Sequence, residues 1–290
     1  MPYKDLIIIS NEKIFQESDN FYCNNLDLKV LPEGLNEYHK VQYIARGSNK
    51  RSDQKINLKN IKVGKSILKF IAFVINSLKI PNATYLIVCI TPYTFLSFLI
   101  LFFFRKKVFI YLFSSGHEEY RHILGKWFVW IYHIMFIIVT SYAKVIVCHK
   151  RLFDEKKSHL VYISRLDDDW FKDYKSAPLD KPKFLYVGRM SPEKGIFNFL
   201  EMFDQIKFDS QLSIVGNTEK NNNSNKKVNY LGYISSPRSL INIYDNHNIM
   251  VLPSFTEATP YVVDESLSRQ RPVIIFEDID YIVRDKKGIF

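Results

Sequence analysis

Residues 251–276 read VLPSFTEATPYVVDESLSRQRPVIIF, and they constrain the fold more than any other stretch. An apolar strand over 248–252 runs into a loop over 253–259. Thr259-Pro260 then has the form of a helix start, a capping hydroxyl followed by proline at the first helical position. The unbroken apolar run 272–276 reads as a buried strand. Strand, loop, helix and strand in this order form one βα repeat. Similar repeats fill the second half of the chain: strands at 184–188, 211–215 and 228–231, with helices opened by Ser191-Pro192 and Ser236-Pro237. Repeated βα units imply a parallel sheet whose ligands sit at the carboxyl ends of the strands. Arg189, Gly216 and residues 254–257 all fall at such ends.

Two carboxylates bracket the helix start, Glu257 in the loop and Glu265 inside the helix, with seven residues between them. A helix N-terminus suits a phosphate. A carboxylate further along the helix can accept from a ribose diol, and one in the loop can face the far end of the same ligand. On spacing alone, two ordinary solvated glutamates are the better account of the pattern.

The wider motif decides between these readings. Ser254, Glu257 and Glu265 form P-S-x-x-E-x7-E, followed by S-L and P-V-I. This resembles the donor site of glycosyltransferase family 4, the retaining group 1 enzymes of GT-B fold. Upstream, FLYVGRMSPEKG at 184–195 resembles the strand-G-R-x5-K-G phosphate loop of that family, with Gly188, Arg189 and Lys194 in place. The resemblance implies an α/β architecture of two Rossmann-like domains facing each other across a cleft. An acceptor-side domain would span 1–165, a linker 166–181 and a nucleotide-sugar-binding domain 182–290. The second domain is expected to be incomplete, with an unpaired sheet edge. The resemblance further implies retaining, metal-independent hexosyl transfer from a UDP- or GDP-linked sugar, with no other cofactor. Glu257 would contact the transferred sugar, assisted from the first domain by His117 or Glu118 in a loop at 114–120. Gly188, Arg189, Lys194, Gly216, Ser254, Ala258, Thr259 and Glu265 would bind the donor. The acceptor would be a glycan or lipid-linked sugar of bacterial surface polysaccharide or glycolipid synthesis. Two alternatives stay open: a non-catalytic homologue that binds a nucleotide sugar or a membrane, and a sugar-nucleotide epimerase on the same fold. Three departures from the pattern are Ala258 for the usual glycine, Arg269 and Arg271 before P-V-I, and the lack of a Gly-Gly loop after the first strand.

The first half is read from its elements. Residues 5–10 form a strand, 11–25 a polar loop and 41–45 a second strand. A stripe at 61, 64, 68, 71, 75 and 78 predicts one helix over 61–78. Its lysines fit a solvated face, or alternatively a membrane-surface patch. Residues 85–104 carry no charge, long enough for a membrane span. Thr91-Pro92 within the run, and the β-type stretch at 108–113, favour strand, helix and strand. A second aromatic-rich helix is expected over 127–142. Asp167-Asp168-Asp169 resembles a metal motif of another glycosyltransferase fold but reads as a solvated acidic turn.

Forty basic residues against thirty acidic give a net charge of +10, which favours anionic partners. An anionic membrane surface is an expected partner, and nucleic acid is not. Three scattered cysteines argue for a reducing cytosol, so a cytoplasmic location is expected, to which the family resemblance adds a peripheral place on the inner face of the cell membrane.

Overall fold

The computed structural model describes residues 4–52, 54–161, 164, 166–216, 226–257, 260–283 and 286–290. The chain divides into two compact units, Met1–Tyr162 and Ile163–Phe290.

The first unit is built on strands β1 (Asp5–Glu17), β2 (Asn20–Cys23), β3 (Lys40–Ser48), β4 (Gln54–Ile56), β5 (Ile61–Gly64), β6 (Thr84–Val88), β7 (Lys107–Leu112), β8 (Lys144–Val147) and β9 (Ser158–Leu160). Its helices are α1 (Leu26–Leu35), α2 (Ile67–Ser77), α3 (Pro92–Phe103), α4 (Gly116–Ile123) and α5 (Val129–Tyr142). The sheet runs β4-β2-β1-β6-β7-β8-β9, with β3 on β1 and β5 on β3. β1, β3, β5 and β6 to β9 are parallel, and Leu6 to Ser10 are buried throughout, as a strand covered on both faces requires.

Two expectations for this unit fail for local reasons. The region 11–25 is mostly strand. β1 shifts register between Ile9 and Lys13, continues to Glu17 and turns back as β2. The scattered aromatics explain it, since Phe15 and Tyr22 pair across the hairpin at 6.4 Å and Ile14 is fully buried. The predicted helix over 61–78 is a strand followed by a shorter helix. Ile61 and Val63 are buried with Lys62 exposed between them, a period of two, and Ser66 caps α2 by accepting from the Lys69 amide. The strand-helix-strand reading of 85–113 holds. Thr91 caps α3 in a reciprocal box with Thr94, and Pro92 opens it. Among the described residues no helix is long and apolar enough to cross a membrane. The second aromatic helix starts later than expected, at Val129, after a 3-10 turn.

The second unit is a five-stranded parallel sheet of order β12-β11-β10-β13-β14. Its strands are β10 (Lys183–Val187), β11 (Gln211–Val215), β12 (Val228–Gly232), β13 (Ile249–Leu252) and β14 (Val273–Ile275). Its helices are α6 (Ile196–Asp204), α7 (Pro237–Asp245) and α8 (Tyr261–Ser268). The strand order reverses beside β10, the kind of position where doubly wound sheets bind ligands. The edge beyond β14, expected to be unpaired, is paired. Val273 donates to Gly288, Phe290 to Val273, and Ile275 to Phe290, all through backbone atoms at 2.8–2.9 Å.

The helix expected from Ser191-Pro192 is interrupted. Pro192–Lys194 is a 3-10 turn, and α6 begins only after Gly195, which has φ +61°. A side chain at Gly195 would place its Cβ 1.8 Å from the Pro253 carbonyl oxygen, so the loops after β10 and β13 meet there backbone to side. Asp167 caps a short turn over Asp168–Phe171.

Candidate functional site

Four loops gather at the carboxyl ends of the second unit's strands. The loop after β10 holds Gly188, Arg189 and Lys194, and the loop after β11 begins at Gly216. The two touch through backbone, since a Cβ on Gly216 would lie 1.9 Å from the Gly188 carbonyl oxygen. Gly188 N–H also donates to the Val215 carbonyl. The Tyr186 hydroxyl, on β10, donates 2.7 Å to the Arg189 carbonyl and fixes the turn. The Arg189 side chain is 76% exposed, with Glu193 3.6 Å away. The hydroxyl of Ser191 holds the Glu193 carboxyl below its usual range, outweighing partial burial.

The loop after β13 carries Ser254 and Glu257. Lys194 Nζ lies 2.6 Å from Glu257 Oε1, and Ser254 Oγ donates to the same oxygen at 2.7 Å. The pair is recessed, with side-chain exposures of 18% for Lys194 and 9% for Glu257. The Phe255 amide donates to the Glu193 carbonyl, which ties this loop to the one after β10. Tyr281, from the turn after β14, grips the Glu257 backbone from both sides. Its oxygen accepts from the Glu257 amide at 2.9 Å and its hydroxyl donates to the Glu257 carbonyl at 2.5 Å. Nothing in the sequence pointed to Tyr281, because a phenol 24 residues away carries no motif.

α8 presents Glu265. The capping residue expected here, Thr259, and Ala258 lie outside the described residues, and Pro260 occupies the N-cap position rather than the first helical one. Tyr244, at the end of α7, donates its hydroxyl to Glu265 Oε2 at 2.9 Å. Burial first, then the Glu265 charge, pushes that phenol well above its ordinary range, so it serves as a donor at any working pH. Tyr244 was also invisible to sequence reasoning.

The basic residues before P-V-I have a structural task. Arg269 and Arg271 are among the most deeply buried side chains in the unit. Arg269 meets Asp245 in a bidentate pair at 2.9 Å and donates to the carbonyls of Trp170, Lys172 and Asp173. Arg271 donates to the carbonyls of Tyr244, Asp245, Arg269 and Lys175. Segment 170–175, which lies within the expected linker, is fastened to the end of α8 by these bonds.

His117 and Glu118 belong to the first unit, on helix α4 and not in a loop. Ser115 caps that helix by accepting from the Glu118 amide. His117 Nε2 is 3.1 Å from His133 Nδ1, and its ring packs on Tyr132 and Phe136 of α5. Burial, reinforced by His133 and Arg121, holds its pKa below the usual histidine value. Glu118 is exposed. Among the described residues no group of three or more His, Cys, Asp or Glu side chains could hold a metal ion.

This arrangement has counterparts. Residues 167–285 match the family described as glycosyl transferases group 1. A Bacillus subtilis (strain 168) protein named for teichuronic acid biosynthesis, the glycosyltransferase TuaC, is 30% identical over 97 residues. That match takes in 33% of this chain, and the chain spans about a quarter (25%) of that relative's length. Among solved structures, a sucrose-phosphate synthase from Thermosynechococcus elongatus superposes with TM-score 0.67 at 17% identity, covering 99% of this chain and 85% of its own. The apo form of a lipopolysaccharide outer core galactosyltransferase, WaaB, gives 0.62 at 16% identity over 93% and 80% of the two chains. Anabaena HepE in complex with UDP-glucose gives 0.60 at 11% over 93% and 80%. Over residues 167–285 the chain therefore carries the domain of the group 1 glycosyltransferases, and its two parallel-sheet units have the fold of the GT-B proteins.

Proposed function

We propose that this protein moves a sugar from a nucleotide-sugar donor to a glycan or lipid-linked acceptor, with retention at the anomeric carbon, in bacterial surface polysaccharide or glycolipid synthesis. The recessed Lys194–Glu257 pair carries the reading, standing where the strand ends of a doubly wound sheet open. The leaving group of such a transfer is a nucleoside diphosphate, whose new negative charge must be stabilised. Lys194 supplies a point charge that the diphosphate would draw from Glu257. Arg189 supplies an exposed guanidinium fork. Glu257, released from Lys194 but still held by Ser254 and Tyr281, would face the transferred sugar. Glu265, oriented by Tyr244, would accept from the ribose hydroxyls. These cations would do the work that a metal does elsewhere. HepE structures hold UDP-glucose, or UDP with glucose, which supports the uridine series for the donor. His117 and Glu118 are kept as candidates to face the reacting sugar from the first unit.

The acceptor's location is read from α3 and α5. Phe103 is 79% exposed at the end of α3, where Phe104 runs straight into Arg105, Lys106 and Lys107, and Trp127, 86% exposed beside Lys126, and Trp130 are exposed at the start of α5. Aromatic rings beside clustered cations suit the headgroup region of an anionic membrane face. Emission from these tryptophans should shift to the blue with phosphatidylglycerol vesicles and stay unchanged with phosphatidylcholine.

Calorimetric titration with UDP, GDP, ADP and their glucose conjugates tests the donor site. One series should bind saturably to the wild type. Glu265→Ala should weaken it by roughly ten-fold or more, the loss of one to two hydrogen bonds to a carboxylate. Absence of saturable heat with every series would overturn the reading.

A further inference from the structure

A second cationic locus lies at the carboxyl end of the first unit's sheet, and none of the donor-site residues accounts for it. Arg46 is near the end of β3, half-buried. Its guanidinium lies 4.2 Å over the ring of Tyr93, in the first turn of α3, and that ring packs edge-on against Phe70 of α2 at 5.4 Å. Nη1 donates to Asn11 Oδ1 at 3.1 Å, in the segment where β1 shifts register. The plane of the guanidinium is thus set by a ring beneath it and an amide beside it.

No ion pair among the described residues involves Arg46. The contrast with Arg269 and Arg271 is direct, since those side chains spend their donors on Asp245 and a set of carbonyls. Among the described residues Arg46 has one hydrogen-bond acceptor, Asn11 Oδ1, for five N–H groups. Its register partner across β1 is Lys13, so both side chains leave the same face of the sheet. On the other side its partner is Gly64, followed by Lys65 in the short connection between β5 and α2. Neither α2 nor α3 has an acidic residue in its first turn. Glu12, between Asn11 and Lys13 in β1, is held above its usual carboxylate value by burial, against the opposing pull of the backbone at Asn25, Asn24 and Lys13.

We infer that Arg46, steered by Asn11 and Tyr93 and flanked by Lys13, is a phosphoryl-binding subsite at the strand ends of the first unit. A planar fork on a fixed support matches two phosphoryl oxygens, which a lone lysine cannot do. The subsite then selects an acceptor that carries a phosphoryl group, an assignment to the acceptor that rests on the sugar-transfer reading above. The anion site itself stands independently of that reading.

The experiment follows the Nε–Hε resonance of Arg46 in the full chain, identified by its disappearance in Arg46→Lys. Inorganic phosphate is titrated at constant ionic strength, held with chloride. The resonance should move saturably, and a companion titration read by thermal shift should weaken about ten-fold or more in Arg46→Gln. An Arg46 resonance that stays still to tens of millimolar phosphate, or that follows chloride equally, overturns the subsite. The wild-type resonance decides even where Arg46→Gln does not fold. Glucose 1-phosphate and monomeric short-chain phosphatidylglycerol then separate the sources, because the tighter of the two names the phosphoryl end as sugar-borne or lipid-borne. A phosphate response at Arg46 without any nucleotide response in the second unit would sink the transfer reading alone. The reverse would sink the subsite alone.

Discussion

Asp245→Asn isolates the buried ion cluster of the second unit. The carboxylate is 2% exposed, and it meets Arg269 through two bonds of 2.9 Å with Arg271 4.0 Å away. Asparagine keeps the shape and removes the charge. Two guanidiniums then share a site screened from water with no anion. Breaking a buried pair by removing one partner costs about 3–5 kcal/mol. In a unit of this size each kcal/mol moves the midpoint by about 3–5 °C, so the expected fall is roughly 10–20 °C. Trp170 is a natural reporter, being buried, in ring contact with Tyr244 at 5.8 Å and bonded through its carbonyl to Arg269. Replacing Trp127 and Trp130 by phenylalanine leaves it as the only tryptophan. Thermal unfolding followed by its emission gives the midpoint. Asp169→Asn is the comparator, because its 3.5 Å pair with Lys172 is exposed and worth about 0–1 kcal/mol. If the two variants lose the same few degrees, the cluster does not hold the unit as argued.

Three further outcomes follow from the same geometry. Gly195→Ala sets a Cβ against the Pro253 carbonyl at a positive φ and should cost about 1–3 kcal/mol in a denaturant titration, with nucleotide affinity falling as Lys194 is displaced. Tyr244→Phe removes the donor to Glu265, a bond to a charged group worth about 1.5–3 kcal/mol, so calorimetry should show nucleotide binding weakened at least ten-fold. His247, the one histidine of residues 163–290, is held below the usual value chiefly by burial, while its Nδ1 meets the Ile243 carbonyl at 2.6 Å. Its folded pKa is depressed, so the stability it contributes is present above the unfolded value of about 6.5 and is lost as pH falls through the window below it. The midpoint of the second unit should decline from pH 7 to 5, and His247→Gln should flatten that decline.

Most βα repeats were legible because short-range physics wrote them. Thr91-Pro92 and Ser236-Pro237 each open a helix where a capping hydroxyl precedes proline. The motif residues Lys194, Ser254 and Glu257 converge in space, as their places at strand ends suggested. What escaped depends on tertiary partners. Ile61 fits a helical stripe with Gly64 and a strand alternation with Val63, and pairing with β3 chose the strand. The β1–β2 hairpin hides in a polar stretch because its support is one cross-strand aromatic pair and one buried isoleucine. Arginines at 269 and 271 look like surface residues until Asp245 and the carbonyls of 170–175 are brought to them. Tyr244 and Tyr281 act through single hydroxyls, and no spacing announces that.

The end of α7 meets α8 in a way that has a mechanical meaning. Consecutive residues, Tyr244 and Asp245, reach across to Glu265 and Arg269, which lie one turn apart. Two elements joined by a single strut can slide or pivot, whereas two joined by adjacent struts resist shear as well as separation. The second strut also continues into the chain at Trp170 to Asp173. A tug on that segment is therefore delivered to the base of the helix that holds Glu265, and the first strut keeps the carboxylate from turning as the load passes.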